Sequence, residues 1–247
     1  MNTTAAEVYD AFFVPALFGQ FADPVLDHAK VCVGSRVLDV GCGTGIVARA
    51  ARRRVGVDGV IAAVDPNEGM LAVARRSELS IDWQSGTAES LAFHDGCFDH
   101  TISQFAAMFF SDRTVALREV ARVTDGGGTV TIATWPGLDR TPDYDAMVAV
   151  IADELGDEAA NALRAPFVLG DIEHVRRLLM PIGRDLRLDQ IPGTARFASV
   201  ADWIHTVARD SLRTSHARQN QVSRYDPRPA RYSSGVSCGP FPDRPPT

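Results

Sequence analysis

Short apolar runs alternate with amphipathic stretches over residues 36–134. The apolar runs predict five β-strands, and the stretches between them, with apolar residues at helical spacing, predict helices. Such alternation is typical of βαβ units and indicates an α/β fold with a doubly wound, mostly parallel sheet. The predicted strands are 36–40, 60–64, 81–84, 98–103 and 129–134, and the predicted helices are 46–54, 68–77 and 112–123.

The regions on either side of this pattern are less regular. Residues 5–21 form an aromatic-rich segment with helical spacing that Pro15 interrupts. After the fifth strand, the spacing predicts helices at 142–155 and 171–180. The following stretch, RDLRLDQIPGTARF, predicts a strand near 186–191, a Pro-Gly turn and a second short strand.

The character of the chain changes after about residue 207. Residues 208–247 contain seven Arg against three Asp, together with six prolines, and they show no apolar periodicity. This composition buries too little apolar surface to offset the entropy of an ordered chain. We therefore expect a folded domain at 1–207 and a basic, disordered tail rich in Pro, Ser and Arg at 208–247.

The turn after the first strand has the sequence VLDVGCGTG and carries the first candidate chemistry. Its glycines have no Cβ, so their backbone N–H groups are open to a ligand; they are Gly41, Gly43 and Gly45. A strand that ends in such a turn and leads into a helix is a common device for binding nucleotide cofactors. The turn therefore predicts a nucleoside-containing ligand.

The spacing within this turn distinguishes between cofactors. A dinucleotide fingerprint, G-x-G-x-x-G/A, requires a small third residue where this chain has Ile46, and no G-K-[ST] follows to make a P-loop. Asp39, just inside the turn, would repel a pyrophosphate. The turn therefore favours a cationic nucleoside ligand over a diphosphate.

A second acid lies at the end of the second predicted strand. Asp65, in VIAAVDPNEGML, is placed where a carboxylate can accept two hydrogen bonds from a ribose diol. The alternative is that Asp65 caps the following helix, because Pro66 suits the first helical position. The two roles are compatible.

Four motifs together resemble those of class I S-adenosylmethionine-dependent methyltransferases. They are VLDVGCGTG, VDPNEGML, GTAESLAFHDGCFDHTISQFAAMFF and EVARVTDGGGTVTIATW, in the order and at the spacing of that family. The resemblance covers roughly residues 7–205, and it is nearest to the broad small-molecule group that includes the ubiquinone and menaquinone C-methyltransferases. It implies a Rossmann-like α/β fold and S-adenosylmethionine as the cofactor.

The resemblance also implies a set of cofactor-binding residues. The three glycines of the turn would pack against the methionine portion and the ribose, with Asp39 near the cationic amino end. Asp65 would hold the ribose hydroxyls, and Met70 would pack near the adenine. The full implied set is Asp39, Gly41, Gly43, Gly45, Asp65, Met70, Thr87, Ala88, Ser103 and Gln104.

The later motifs supply the remaining members of this set. Thr87 and Ala88 would line the adenine edge, and many relatives carry Asp where this chain has Thr87. A hydroxyl there can accept a hydrogen bond from the adenine amino group, but without a charge. Ser103 and Gln104 end the fourth predicted strand, where the methyl-bearing sulfonium would face the substrate.

The same family normally ends in an antiparallel seventh strand beside the fifth. The last residues of this chain, YSSGVSCGPFPDRPPT, are broken by Gly and Pro and predict no such strand. We therefore expect the usual terminal strand to be missing, which leaves the fifth strand with an open edge. A frameshift is one interpretation of the tail, and a basic segment that binds an acidic partner is the other.

No catalytic side chain stands out. A sulfonium is already a reactive methyl donor, so alignment of an attacking atom and exclusion of water can suffice. His94 and His100 are interpreted as polar residues beside a turn, with a general base as the alternative. The aromatic residues are interpreted as core, with capping of the cofactor or lining of an apolar pocket as the alternative; they are Tyr9, Phe12, Phe13, Phe105, Phe109 and Phe110. Trp135 is assigned to the pocket.

Composition narrows the class of protein further. The content of 45% hydrophobic and 23% charged residues is that of a soluble globular protein, and the net charge of −6 argues against a nucleic-acid partner. Four scattered cysteines suggest reduced thiols and no metal site. We find neither a secretory signal nor an apolar run long enough to span a membrane, so we expect a cytoplasmic protein.

The sequence therefore predicts methyl transfer from S-adenosylmethionine to a small-molecule acceptor by in-line displacement. One alternative is an NAD(P)-dependent oxidoreductase, which Ile46 and the lack of a Tyr-x-x-x-Lys pair disfavour. The other is a truncated remnant that binds the cofactor without turnover.

Overall fold

Five parallel strands form the centre of the fold in the computed structural model, which describes residues 4–183 and 185–199. The strands are β1 (Arg36–Val40), β2 (Val60–Asp65), β3 (Asp82–Ser85), β4 (Phe98–Gln104) and β5 (Thr124–Ala133), in the spatial order β3-β2-β1-β4-β5. The predicted α/β, doubly wound fold is confirmed. Because the strand order reverses between β1 and β4, the carboxyl ends of these two strands flank the crevice where such sheets bind ligands.

Eight α-helices accompany the strands within the described residues. They are α1 (Ala5–Val8), α2 (Ala22–His28), α3 (Ile46–Val55), α4 (Glu68–Ser77), α5 (Arg113–Val123), α6 (Pro142–Leu155), α7 (Asp157–Arg164) and α8 (Ile172–Leu179). A π-helix (Tyr9–Phe18) joins α1 to a 3₁₀ turn (Gly19–Phe21), and further 3₁₀ turns lie at Ala107–Phe109, Leu138–Arg140 and Ala165–Phe167. The helix α7 was not predicted from the sequence.

Helices cover both faces of the sheet. On one face, α2, α3 and α4 bury small and branched side chains such as Leu26, Ala51 and Leu71 against the strands. On the other face, α5 buries Val120 and Val123 against neighbouring strand residues. Within the described ranges, no helix has the length and apolar character needed to cross a membrane.

The ends of these helices follow from local capping. The side chain of Asn67 accepts hydrogen bonds from two backbone N–H groups at the start of α4, and Asp112 does the same for α5. The helix α5 therefore begins at Arg113, one residue later than predicted, because Asp112 lies outside it as the cap. The fifth strand begins earlier than predicted, at Thr124, with an irregularity in its pairing to β4 before Thr129.

The N-terminal segment is helical from Ala5 to His28, and Pro15 does not end it. The chain widens into the π-helix around the proline, which has no N–H to donate. Two ion pairs attach this segment to the helices below: Glu7 to Arg76 of α4, at 2.9 Å, and Asp10 to Arg49 of α3, at 3.5 Å. The segment therefore lies over the same side of the sheet as α3 and α4.

The strands predicted in the stretch 184–197 are wrong for its described residues. Residues 185–199 form no strand. Instead they return to the N-terminal segment: Arg196 N donates to Ala16 O at 2.9 Å, and Thr194 N donates to Gln20 Oε1 at 2.9 Å. Gln20 Nε2 donates to Thr194 O at 3.1 Å, so backbone groups that a sheet would satisfy are satisfied here by a helical neighbour. The predicted tail at 208–247 lies outside the described residues.

Replacing Gln20 by Ala is expected to loosen this return segment. The variant removes both hydrogen bonds to Thr194, each contributing about 1 kcal/mol, so the Thr194 amide should exchange with solvent deuterium about five- to thirtyfold faster. Amide exchange followed by NMR is the measurement, with Gln84→Ala on β3 as the control. An unchanged exchange rate at Thr194 would show that the segment is held by other contacts.

Candidate functional site

The carboxyl ends of β1 and β2 bring the glycine turn and Asp65 together. Val40 lies opposite Val64 in the parallel pairing, so the residues that follow each strand are neighbours. The N–H groups of Gly41 and Cys42 both donate to Val64 O, at 2.8 and 3.1 Å. The first turn residues are therefore an extension of the sheet, and the turn leaves it only at Gly43.

Asp65 holds the glycine turn in place from the neighbouring strand. Its Oδ2 accepts a hydrogen bond from Gly43 N at 2.9 Å, and its Oδ1 accepts one from Asn67 N at 2.8 Å. The side chain is largely buried, and this burial raises the pKa of the carboxyl group. Each carboxylate oxygen keeps a second lone-pair direction, so the group can still accept two hydroxyl hydrogens.

The cap of helix α4 is Asn67 and not Asp65. Asn67 Oδ1 accepts from Gly69 N at 2.9 Å and from Met70 N at 3.2 Å. The interpretation of Asp65 as the helix cap is therefore wrong. The Asp65 carboxylate instead accepts a hydrogen bond from the backbone N–H of the cap residue, Asn67. Its other oxygen faces the glycine turn.

The three glycines of the turn have different surroundings, although each has a positive φ. A Cβ at Gly41 would overlap the Cβ of Ala106, and a Cβ at Gly45 would overlap the indole of Trp83. A Cβ at Gly43 would meet only Tyr9 Cε1, at 3.9 Å. Gly41 and Gly45 are thus required by backbone conformation and protein packing, and Gly43 alone has an open side.

Asp39 lies beneath the turn and is almost fully buried. Its Oδ2 accepts a hydrogen bond from Ala48 N, in the first turn of α3, at 3.0 Å. Burial, together with the charge of Asp65, raises the pKa of Asp39 to about 7, against the opposing effects of the hydrogen bond from Ala48 N and the charge of Arg49. This acid therefore stabilises the start of α3, and its expected place near a cationic amino group stays a prediction.

Arg49 connects the turn to the N-terminal segment. Its Nη1 donates to Thr44 O, and its Nη2 lies 3.5 Å from Asp10 Oδ1. The positive charge closest to the turn in sequence is therefore compensated by Asp10. The Oγ1 atom of Thr44 is buried and has no hydrogen-bond partner among the described residues.

The remaining predicted cofactor residues divide into two groups. Met70, half-buried in the first turn of α4, and Ala88, buried after β3, lie on the β2–β3 side of the crevice, and Thr87 beside Ala88 is exposed. Ser103 is fully buried and alternates with Gln104, so it shares the α5 face of β4 with Thr101. Its hydroxyl has no partner among the described residues, and its place beside the cofactor stays a prediction.

Gln104 joins β4 to the N-terminal segment. Its Nε2 donates to Phe18 O at 3.3 Å, while its Oε1 is buried without a partner in the described part of the chain. The next residue, Phe105, has a φ of 55°, which is unusual for a non-glycine residue. Its ring stacks on Trp135 with the centroids 3.9 Å apart. The carboxyl ends of β4 and β5 are therefore covered by aromatic side chains.

The sequence did not predict the packing of Phe18 and Phe21 on the Phe105–Trp135 pair, nor the position of the Tyr9 ring beside Phe18. Phe18 and Phe21 pack against both rings of the Phe105–Trp135 pair, and the ring of Tyr9 lies 5.2 Å from that of Phe18. The contacts of Phe18 and Phe21 with that pair join residues 84 to 117 positions apart, so no local spacing could reveal them.

The histidine considered as a base lies elsewhere. His100 is opposite Val37 near the amino ends of β4 and β1, and its Nδ1 is 2.8 Å from Thr129 Oγ1. Burial lowers its pKa. Across residues 4–183 and 185–199, no three His, Cys, Asp or Glu side chains form a group that could hold a metal ion. Cys42 is buried, and burial raises the pKa of its thiol, as expected for a packing residue.

The fold and this site define an α/β domain with a glycine turn at the carboxyl edge of its sheet, and comparison with known proteins indicates its class. Residues 38–132, which run from within β1 into β5 and include the glycine turn, match the family described as "Methyltransferase domain". Over these residues the chain is therefore similar to methyltransferase domains, and the resemblance to class I S-adenosylmethionine-dependent methyltransferases is confirmed. The prediction of S-adenosylmethionine as the cofactor is confirmed at the level of this class.

The relatives extend this result. The chain is 37% identical over 137 residues to the ubiquinone/menaquinone biosynthesis C-methyltransferase UbiE of Xylella fastidiosa, covering 52% of this chain and 54% of that protein. It is 39% identical over 115 residues to the malonyl-[acyl-carrier protein] O-methyltransferase of Erwinia pyrifoliae, covering 47% and 43%. The chain thus spans about half the length of the curated relatives it matches. The crystal structure of YcgJ from Bacillus subtilis shares the fold, with a TM-score of 0.56, 21% identity and coverage of 84% and 85%.

The buried Asp39 generates a prediction for stability. Its pKa is higher in the folded state, at about 7, than the ordinary value of 3.8, so the folded chain binds a proton more tightly than the unfolded chain between these values. The free energy of unfolding therefore falls as pH rises through this range. Asp39→Asn keeps an oxygen for Ala48 N and cannot ionise. We expect it to gain stability over the wild type progressively from pH 4 to 7, reaching a few kcal/mol above pH 7.

Urea unfolding at a series of pH values measures this difference. Asp58→Asn, at an exposed turn before β2, is the matched control and should not reproduce the trend. A difference between Asp39→Asn and the wild type that stays constant from pH 4 to 8 would contradict the assignment.

Proposed function

We propose that this chain transfers the methyl group of S-adenosylmethionine to a small-molecule acceptor. The observation that carries the proposal is the Gly43–Asp65 pair: a carboxylate fixed by two backbone N–H groups beside the one turn glycine with an open side. The relatives support it, because both named proteins are methyltransferases, one acting on carbon and the other on oxygen by name.

The residues present fit a positively charged nucleoside. Asp39 and Asp65 both lie at the turn, and Arg49 is compensated by Asp10, so the local charge favours a cation. The buried Thr44 hydroxyl and Gln104 carbonyl oxygen lack partners among the described residues, and polar atoms in such positions are usually satisfied by a ligand or water. We assign the ribose to Asp65, the adenine side to Met70 and Ala88, and the acceptor side to Gln104.

The proposed mechanism relies on alignment. The bound cofactor would supply an electrophilic methyl group on a sulfonium, so the acceptor atom needs to approach in line with the S–CH₃ bond. Fixing two reactants in this way can contribute about 7–11 kcal/mol to lowering the barrier. The π-helix and the aromatic residues at the ends of β4 and β5 would exclude water from the reacting atoms. His100, at the opposite end of β4, would take no part.

Binding of S-adenosylhomocysteine tests this proposal. Gly43→Ala adds a methyl group on the open side of the turn and should weaken binding about tenfold or more, because the side chain occupies space assigned to the ligand. The matched control is Gly34→Ala. Gly34 also has a positive φ and an open Cβ direction, but it precedes β1 at the far end of the sheet. Both substitutions should cost a similar 1–2 kcal/mol of stability, and only the first should affect binding.

Isothermal titration calorimetry gives the affinities, and transfer of a labelled methyl group to a panel of small metabolites gives the activity. Equal weakening by both variants would contradict the assignment of the turn. Binding without any methyl transfer would favour a cofactor-binding remnant. Binding of NADH in place of S-adenosylhomocysteine would favour the oxidoreductase.

A further inference from the structure

We infer that Tyr9 is a specificity-determining residue, whose ring favours the methylated sulfonium cofactor over the demethylated product. This inference rests on the proposed function. Tyr9 lies outside residues 38–132, which match the methyltransferase family, and belongs to the N-terminal segment. Such a preference would help S-adenosylmethionine replace S-adenosylhomocysteine in the site after each reaction.

The position of the ring carries the inference. Among the described residues beyond its chain neighbours, only Tyr9 contributes a heavy atom, Cε1, within 4 Å of a Cβ placed on Gly43, the one glycine of the turn with an open side. A ligand lying over Gly43 would therefore meet the tyrosine ring. The ring is itself backed by Phe18, whose centroid lies 5.2 Å away at an interplanar angle of 26°.

The surrounding contacts hold this ring in place. The helix α1 begins with a capping box, in which Thr4 and Glu7 bond each other's backbone and side chain, and Glu7 pairs with Arg76. The residue after Tyr9 is Asp10, which pairs with Arg49. Tyr9 therefore lies between two ion pairs, one to α4 and one to α3. The charge of the nearby Arg49 guanidinium is compensated by Asp10.

The chemistry of the two ligands makes the effect specific. An aromatic ring attracts a cation through its negative face by about 0.5–2 kcal/mol, depending on how far the cation is desolvated. S-adenosylmethionine carries a positive sulfur, whereas S-adenosylhomocysteine has a neutral thioether. Both carry the same amino, carboxyl, ribose and adenine groups. The ratio of their dissociation constants therefore reports the sulfonium charge together with its methyl group, and the change of this ratio on removal of the ring reports the attraction between ring and cation.

The experiment compares this ratio among variants of the full chain by calorimetry. Tyr9→Leu keeps an apolar side chain against Phe18 and Gly43 but removes the ring. We expect it to weaken S-adenosylmethionine relative to S-adenosylhomocysteine by about three- to thirtyfold. Tyr9→Phe keeps the ring and should leave the ratio unchanged. Phe12→Leu is the matched control, because Phe12 lies in the same π-helix but packs on Phe13 and Phe197.

The possible outcomes separate this inference from the proposed function. If Tyr9→Leu weakens both ligands equally or neither, the inference is overturned while the cofactor assignment stands. If the wild type binds neither ligand, both are overturned. Should Tyr9→Leu fail to fold, a fluorinated phenylalanine at position 9 removes the negative ring face at nearly constant shape, and it should change the ratio in the same direction.

Discussion

The hydrogen bond from Gly43 N to Asp65 is the interaction on which the site depends. It joins the end of β2 to the turn that follows β1, so the position of the turn is set by the sheet and not by the loop alone. Asp39 adds a second constraint from below, because its carboxylate receives Ala48 N at the start of α3. Two buried acids at adjacent strand ends are costly to ionise. A positively charged ligand would offset that cost, which is the physical basis of the proposed preference for a sulfonium cofactor.

The crevice is completed by residues from distant parts of the chain. The N-terminal segment reaches the turn through Tyr9 and reaches β4 through Phe18 O, which Gln104 contacts. Residues 193–196 in turn bind the outer side of this segment through Gln20 and Ala16. The cover of the site therefore depends on parts of the chain on both sides of residues 38–132, which match the methyltransferase family.

Much of the sheet could be predicted from the sequence, because strand residues such as those of β1 are apolar runs with clear ends. The contact between Gly43 and Asp65 follows from their positions after adjacent parallel strands, whereas their roles toward a cofactor stay a prediction. The roles of Gly41 and Gly45 could not be predicted, because a glycine can serve either a ligand or the packing of the protein. Here these two glycines make room for Ala106 and Trp83. The short strand expected after the Pro-Gly turn did not form, because its β-like pattern is local, whereas the backbone N–H groups of Thr194 and Arg196 bond to the N-terminal segment.

The most direct measurement is a crystal structure of this chain grown with S-adenosylhomocysteine and an equal concentration of NADH. The account predicts S-adenosylhomocysteine at the carboxyl ends of β1 and β2, with both ribose hydroxyls within hydrogen-bond distance of Asp65 and the ligand in contact with Gly43. NADH bound at this turn, or S-adenosylhomocysteine bound elsewhere with Asp65 uninvolved, would contradict the central claim.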